Sequence, residues 1–205
     1  MCGIVGIVNY EKNIKNQENF FKGMVKTLEK RGPDEEGMYL TEDVNLGHRR
    51  LSVVDIKNGK QPMSFKYNDA TYTTVYNGQI YNTDSLRKML KNKGFEFKGH
   101  SDTEILLKAY IYFGKEVCKF LNGIFAFAIW NDKSKELFLA RDHFGIKPLY
   151  YTLKNNNFIF ASEIKAILKH NEVERKIDET GICELFGIGP AHTRSEKLHL
   201  KIYMN

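Results

Sequence analysis

The chain has 205 residues, 42% of them hydrophobic and 13% aromatic, with 31 Lys and Arg against 25 Asp and Glu for a net charge of +6. That apolar content is enough to offset the entropy of ordering a core, which excludes a disordered chain, and the length suits one domain. No apolar run approaches the ~18–20 residues of a membrane-spanning helix, and the basic residues fall in short clusters broken by acids, so neither a membrane nor a nucleic acid is expected as partner.

Residues 3–9 mix small and β-branched side chains and predict a buried strand at the start of the chain. Phe20, Phe21, Met24, Val25 and Leu28 recur at helical spacing and predict a helix over 17–30, broken by Gly32-Pro33-Asp34. Short strands are expected at 37–40 and 44–48, then a polar, turn-rich stretch from 57 to 70. Thr71 to Tyr76 reads as a strand ending at the turn dipeptide Asn77-Gly78. The segment 82–93 predicts a helix capped by Thr83 or Asp84 and stopped by Gly94. Ser101-Asp102-Thr103-Glu104 has the spacing of a capping box and opens a helix running to Gly114. Between these helices, Gly94 to Gly99 has the glycine spacing of a phosphate loop, but His100 stands where its lysine belongs, and Phe95 and Phe97 suit a short strand. Residues 124–130 and 136–140 form a hairpin around Asn131-Asp132-Lys133-Ser134. Strands at 149–153 and 157–161 and a helix from 162 to 170 complete the reading. Since both faces of 124–130 are apolar, that strand is expected to be covered on each side. The whole predicts stacked, mostly antiparallel sheets flanked by helices.

Cys2, Cys118 and Cys183 are odd in number and far apart, which argues against a disulfide framework and for a reducing, cytoplasmic setting. With the six histidines they show no metal-ligand spacing, and His48, His143 and Trp130 read as structural. Removal of Met1 would make Cys2 the first residue. Thiol and α-amine would then sit on one residue as nucleophile and base, a terminal amine titrating close to neutral pH. Attack on a carboxamide creates an oxyanion, for which a side-chain amide and a backbone N–H, as in Asn77-Gly78, are suitable donors. An amino-acid substrate would need a guanidinium such as Arg50 for its carboxylate and a carboxylate such as Asp102 for its ammonium. Viewed singly, each is ordinary: a small buried residue, a hairpin turn, a surface arginine, a helix cap.

In combination they are not. Met1-Cys2-Gly3-Ile4, Arg31-Gly32-Pro33-Asp34, His48-Arg49-Arg50-Leu51-Ser52-Val53-Val54-Asp55, Tyr76-Asn77-Gly78-Gln79-Ile80-Tyr81-Asn82 and Ser101-Asp102-Thr103-Glu104 follow in order. Arg141 to Tyr150 and Phe160-Ala161-Ser162-Glu163 continue the pattern. The series resembles the glutaminase half of glutamine-hydrolysing asparagine synthetases, class II amidotransferases with an N-terminal nucleophile. The resemblance implies a four-layer α/β/β/α sandwich of the α+β class. It implies that Cys2 attacks the glutamine side-chain amide, that Asn77 and Gly78 form the oxyanion hole, and that Arg50 and Asp102 hold the substrate's carboxylate and ammonium. Leu51, Ser52, Val53, Val54 and Gln79 would line the pocket, and Arg31 and Asp34 would serve the architecture near the nucleophile. Gln79 stands where many members carry Glu; it keeps hydrogen bonding but removes a negative charge, implying weaker glutamine binding.

The resemblance spans residues 1–193, with 194–205 an atypical tail after the match fades at Arg194. The ATP-dependent synthetase domain, with its ATP and Mg²⁺, is expected to be absent, so no cofactor is assigned to this chain. A truncated or frameshifted product and a separate ammonia-donor subunit are both compatible with that ending. The implied activity is release of ammonia from L-glutamine for asparagine synthesis from aspartate and ATP in a full-length enzyme, with a synthetase domain or chain receiving the ammonia. A homodimer is left open. The alternatives are an inactive or regulatory glutamine-binding fragment and the glutaminase part of another class II amidotransferase.

Overall fold

A computed structural model describes residues 1–53, 55–175 and 186. Val54, Cys183, the stretch 176–193 apart from Phe186, and the tail 194–205 lie outside the described residues. Among the described residues, nine strands form two antiparallel sheets. One is ordered β2(Glu35–Leu40), β3(Val44–Arg50), β1(Gly3–Val8), β9(Asn157–Ala161), β8(Tyr150–Lys154). The other is ordered β4(Met63–Tyr67), β5(Ala70–Ile80), β6(Gly123–Asn131), β7(Glu136–Arg141). Helices α1(Glu18–Lys26) and α4(Ile164–Ile167) pack on the outer face of the first sheet, and α2(Thr83–Asn92) and α3(Asp102–Phe113) on that of the second.

Three apolar layers hold the four together. Strand alternation turns Ile4 and Val8 of β1 towards Val75, Ala126, Ala128 and Trp130 of the facing sheet, and turns Val5 and Ile7 towards Phe21, Met24, Val25 and Leu28. On the far side Phe125, Phe127 and Ile129 meet Leu106, Ala109 and Tyr110. Burying apolar area at roughly 25 cal/mol per Å² on both sides of each sheet is the main driving force for this stack. The four-layer α/β/β/α sandwich and the doubly covered β6 are as the sequence predicts.

Several local features differ. Asn77-Gly78 is not a turn: β5 continues through it, with Asn77 opposite Ala126 and Gly78 opposite Phe125. Tertiary pairing along β6 overrides the turn preference of the dipeptide. The polar stretch 57–70 contains β4, an edge strand whose exposed residues hide its alternation. Residues 94–99 form no strand, because Phe95 is buried into the core as an extended loop passes between α2 and α3. Asn82, not Thr83 or Asp84, occupies the N-cap of α2, while Gly94, at φ 89°, provides the left-handed stop. Ser101 Oγ accepts the Glu104 N–H at 3.2 Å, but Glu104 gives its carboxylate to the N–H groups of Lys98 and Gly99, at 2.9 and 3.0 Å. The first helix ends at Lys26 and the last covers four residues, both continued by turns.

Strand β1 lies mid-sheet, paired with β3 and β9. The buried Ile4 N–H, near its start, donates to Ser162 Oγ at 3.0 Å, and Ser162 N–H returns a bond to Ile4 O at 2.8 Å. This reciprocal clamp fixes the strand end that carries Cys2. Ser162→Ala leaves a buried N–H without its acceptor, so we expect a loss of ~1–3 kcal/mol in denaturant unfolding, with the midpoint shifted and the slope unchanged.

Candidate active site

The β1–β3 register sets Gly3 opposite Arg49, so one step back Cys2 meets the end of β3. There its Sγ lies 3.4 Å from Leu51 N and 3.7 Å from Leu51 O. Arg31 Nε donates to the Cys2 carbonyl at 2.9 Å and its guanidinium reaches Glu163 at 3.5 Å. Asp34 accepts the Ser52 N–H at 2.7 Å, holding the segment after β3. Both residues therefore brace the Cys2 end of β1 and the segment after β3 without lining the cleft.

In front of Cys2 opens a cleft of about 250 Å³, lined among others by Arg50, Leu51, Val53, Gln61, Tyr76, Asn77, Gly78, Gln79, Asp102 and Lys147. The sequence-derived set is thus brought together with two exceptions. Ser52 is not among the lining residues, because its neighbours Leu51 and Val53 take the cleft side while its amide is tied to Asp34; Val54 is outside the described residues. Gln79 lines the cleft from an exposed position.

The far wall is the edge of β5. Strand β4 pairs with β5 only as far as Thr74, opposite Met63, so the amides beyond must find other partners. Tyr76 N–H donates to Gln61 Oε1 at 2.6 Å and Ile80 N–H to Asp102 Oδ2 at 3.4 Å. Amide direction alternates along a strand, so Gly78 N–H points out of the same edge, between these two, into the cleft. Beside it the Asn77 side chain is 2% exposed, and its Nδ2 has no hydrogen-bond partner among the described residues. A buried amide donor left unmatched is costly, and here it adjoins a second donor on the wall facing the thiol. Gly78 has no alternative: a Cβ would lie 2.5 Å from Ile124 O and 2.8 Å from Phe125 Cα.

Two charged groups flank these donors. Arg50 is buried and pinned by Glu35 at 2.7 Å, Ile56 O at 3.0 Å and Asp55 O at 2.9 Å. Asp102, at the first turn of α3, accepts from the Tyr76 hydroxyl at 2.7 Å. Burial pushes its pKa up, against the Tyr76, Ile80 and helix-start donors that pull it down. Gln61, Tyr76, Thr103 and Lys147 are cleft residues that sequence reasoning missed. Gln61 sits in the polar stretch before β4, where nothing marks it, and Tyr76 reads as one more strand aromatic.

His48 is structural, as expected: its Nε2 donates to Tyr76 O at 3.1 Å from the facing sheet. Burial holds the ring neutral, its pKa pushed down to about 3, with Arg50 pushing the same way and the bond to Tyr76 opposing. His143, by contrast, is exposed. Among the described residues no group of three or more His, Cys, Asp and Glu could hold a metal ion, and no helix is long and apolar enough to cross a membrane.

A family model described as the glutamine amidotransferase domain matches residues 1–203. Over 193 residues the chain is 47% identical to asparagine synthetase (glutamine-hydrolyzing) 3 of Bacillus subtilis (strain 168), covering 94% of this chain and 31% of that protein. A putative asparagine synthetase (glutamine-hydrolyzing) 2 of Methanocaldococcus jannaschii is 36% identical over 208 residues, covering 92% and 39%. The chain therefore spans about a third of the length of the curated relatives it matches. Among solved structures, the glutamine phosphoribosylpyrophosphate amidotransferase of B. subtilis superposes with a TM-score of 0.67 at 23% identity, over 81% of this chain and 43% of that one, a likeness of fold.

The His48 bond carries a pH signature. Unfolded, the imidazole takes its proton below about pH 6.5; folded, it resists until about pH 3. Between those values the unfolded chain binds the extra proton, so stability falls as pH falls, by ~1.4 kcal/mol per unit from this residue. Urea midpoints at neutral and mildly acidic pH should show that slope, and His48→Gln should remove its share.

Proposed function

The chain belongs to the glutamine amidotransferase family, and from that membership we propose that it hydrolyses L-glutamine to L-glutamate and ammonia through a Cys2 thioester. The observation that carries the reading is the pairing, across one cleft, of the Cys2 thiol with the unmatched Asn77 Nδ2 and the Gly78 N–H.

Glutamine enters with its α-carboxylate towards Arg50 and its α-ammonium towards Asp102, which brings the side-chain carboxamide to Cys2. With Met1 removed, the freed amine takes the thiol proton as sulfur attacks the carboxamide carbon. The carbonyl oxygen becomes an oxyanion held by Asn77 and Gly78, donors fixed in advance by β5 and so needing no reorganisation during reaction. Collapse expels ammonia, which leaves with the proton the amine had accepted. Water then attacks the γ-glutamyl thioester, releasing glutamate and restoring the thiol. Arg50 is already committed to Glu35 and two carbonyls, which orient its guanidinium for a further, charge-assisted contact. Leu51 and Val53 supply apolar walls, and the exposed Gln79 offers an amide where a carboxylate would add attraction for the ammonium.

In the relatives named as asparagine synthetases this region forms under two fifths of the protein. We read the ammonia as destined for a synthetase domain or chain that uses aspartate and ATP, with the ATP and Mg²⁺ bound there. A cytoplasmic setting suits both the free thiol and that chemistry. One observation favours a second reading. Met1 itself lines the cleft, its sulfur 3.6 Å from Lys147 Nζ. With Met1 attached, the Cys2 nitrogen is an amide, and the cleft binds glutamine without a base to turn it over.

N-terminal mass and glutamine-dependent ammonia release decide between them. Active protein is expected to start at Cys2 and to yield glutamate and ammonia in equal amounts. Cys2→Ala should abolish turnover; ammonia release undiminished in that variant refutes the mechanism. Asn77→Ala is expected to lower kcat by ~10²–10³-fold with a small change in KM, the signature of a donor used mainly in the transition state.

A further inference from the structure

Tyr76 is held at three points, by the segment before β4, by β3 and by α3. Gln61 Oε1 accepts its N–H at 2.6 Å, His48 Nε2 donates to its carbonyl at 3.1 Å, and its hydroxyl donates to Asp102 Oδ2 at 2.7 Å. Gln61 closes the circuit, its Nε2 donating to Thr103 Oγ1 at 3.2 Å. The edge of β5 and the first turn of α3 are thus clasped through side chains in a ring of Gln61, Tyr76, Asp102 and Thr103. A buried tyrosine hydroxyl needs some acceptor, and a main-chain carbonyl would satisfy it. Here the acceptor is the acid that lines the cleft among its described residues.

We propose that Tyr76 is a positioning residue for substrate selection, holding the Asp102 carboxylate as the acceptor for an α-ammonium group, so that the cleft favours amides bearing that ammonium over deaminated analogues. This rests on the glutamine reading above and deepens it. The phenol suits the task because burial and the neighbouring Asp102 push its own pKa well above the ordinary 10, so it remains a donor throughout the working range. Burial works against the Asp102 anion, and the Tyr76 hydrogen bond is the first of the contacts opposing that effect. The helix start of α3 adds a favourable field for negative charge. Other charged and titratable groups around the cleft are Cys2, Arg50 and Lys147, with Tyr81 adding to the field at Tyr76. Glu104 on the same helix is engaged by Lys98 N–H, Gly99 N–H and Lys108, and Asp55 accepts the His100 N–H ahead of that helix. With Gln79 neutral, recognition of the ammonium falls on Asp102 and hence on what holds it.

The test compares the full chain, Tyr76→Phe and Asp102→Asn on glutamine and on 4-carbamoylbutanoate, the same amide without its amine. Tyr76→Phe keeps the ring and removes the hydroxyl. For glutamine we expect KM to rise ~10-fold, as for loss of a hydrogen bond to a charged group, with the loss falling on KM rather than kcat. Removing a donor to the anion raises the Asp102 pKa further, so the acid limb of kcat/KM should move to higher pH. The deaminated amide should lose far less, shrinking the preference for glutamine. An unmoved acid limb, or equal losses on both amides, overturns the proposal in favour of a purely structural Tyr76. Calorimetric binding of both amides in a Cys2→Ala background repeats the comparison without turnover. If the parent protein binds glutamine but releases no ammonia, hydrolysis fails as a reading and the binding data alone judge Tyr76. If Asp102→Asn leaves glutamine affinity unchanged, the assignment of the ammonium site fails and the proposal with it.

Discussion

Past Thr74 strand β5 runs on without β4 beside it, and the rest of the site follows from how that open edge is satisfied. A strand edge exposes amides every second residue, and a buried amide must find a partner. Side chains from other elements meet this need at Tyr76 and Ile80, through Gln61 and Asp102. Each such bond does two things at once: it satisfies the strand and it delivers a functional side chain to a fixed place beside it. The amide between them, at Gly78, is the one turned to the cleft, and the tight approach of Ile124 and Phe125 excludes any side chain there.

The facing sheet meets this edge with equal economy of motion. β1 is central in its sheet, so its end cannot shift without disturbing β3 and β9 together. Arg31 and Ser162 grip the backbone at Cys2 and Ile4, and His48 crosses the sandwich to Tyr76. The Cys2 thiol and the Asn77 and Gly78 donors therefore belong to different sheets whose spacing is set by the apolar layer containing Ile4, Val75, Ala126 and Trp130. Packing of that layer, rather than any loop, fixes the distance across which reaction would occur.

Much of this was legible in the sequence. The covered strand β6, the helices α2 and α3 and the Ser101 cap follow from periodicity and capping chemistry, and Cys2, Arg50, Asn77, Gly78 and Asp102 stand out once they are read together. What was not legible depends on tertiary pairing. Asn77-Gly78 carries turn chemistry, and nothing local says that β6 will extend the strand through it. β4 is an edge strand with polar and exposed positions, so alternation is weak. Gln61 acts through bonds to residues 15 and 42 positions away, which no local pattern encodes. Ser52 shows the converse: a residue inside a recognisable motif whose amide serves Asp34.

The position of Cys2 at the tip of a central strand has a practical corollary. Met1, the residue ahead of it, is exposed yet forms part of the cleft wall beside Lys147. Anything joined to the amino end, an affinity handle included, would start at the rim of the cleft and keep the Cys2 nitrogen an amide. A fusion at that end should therefore behave as a tethered competitor, and purification handles belong elsewhere on the polypeptide.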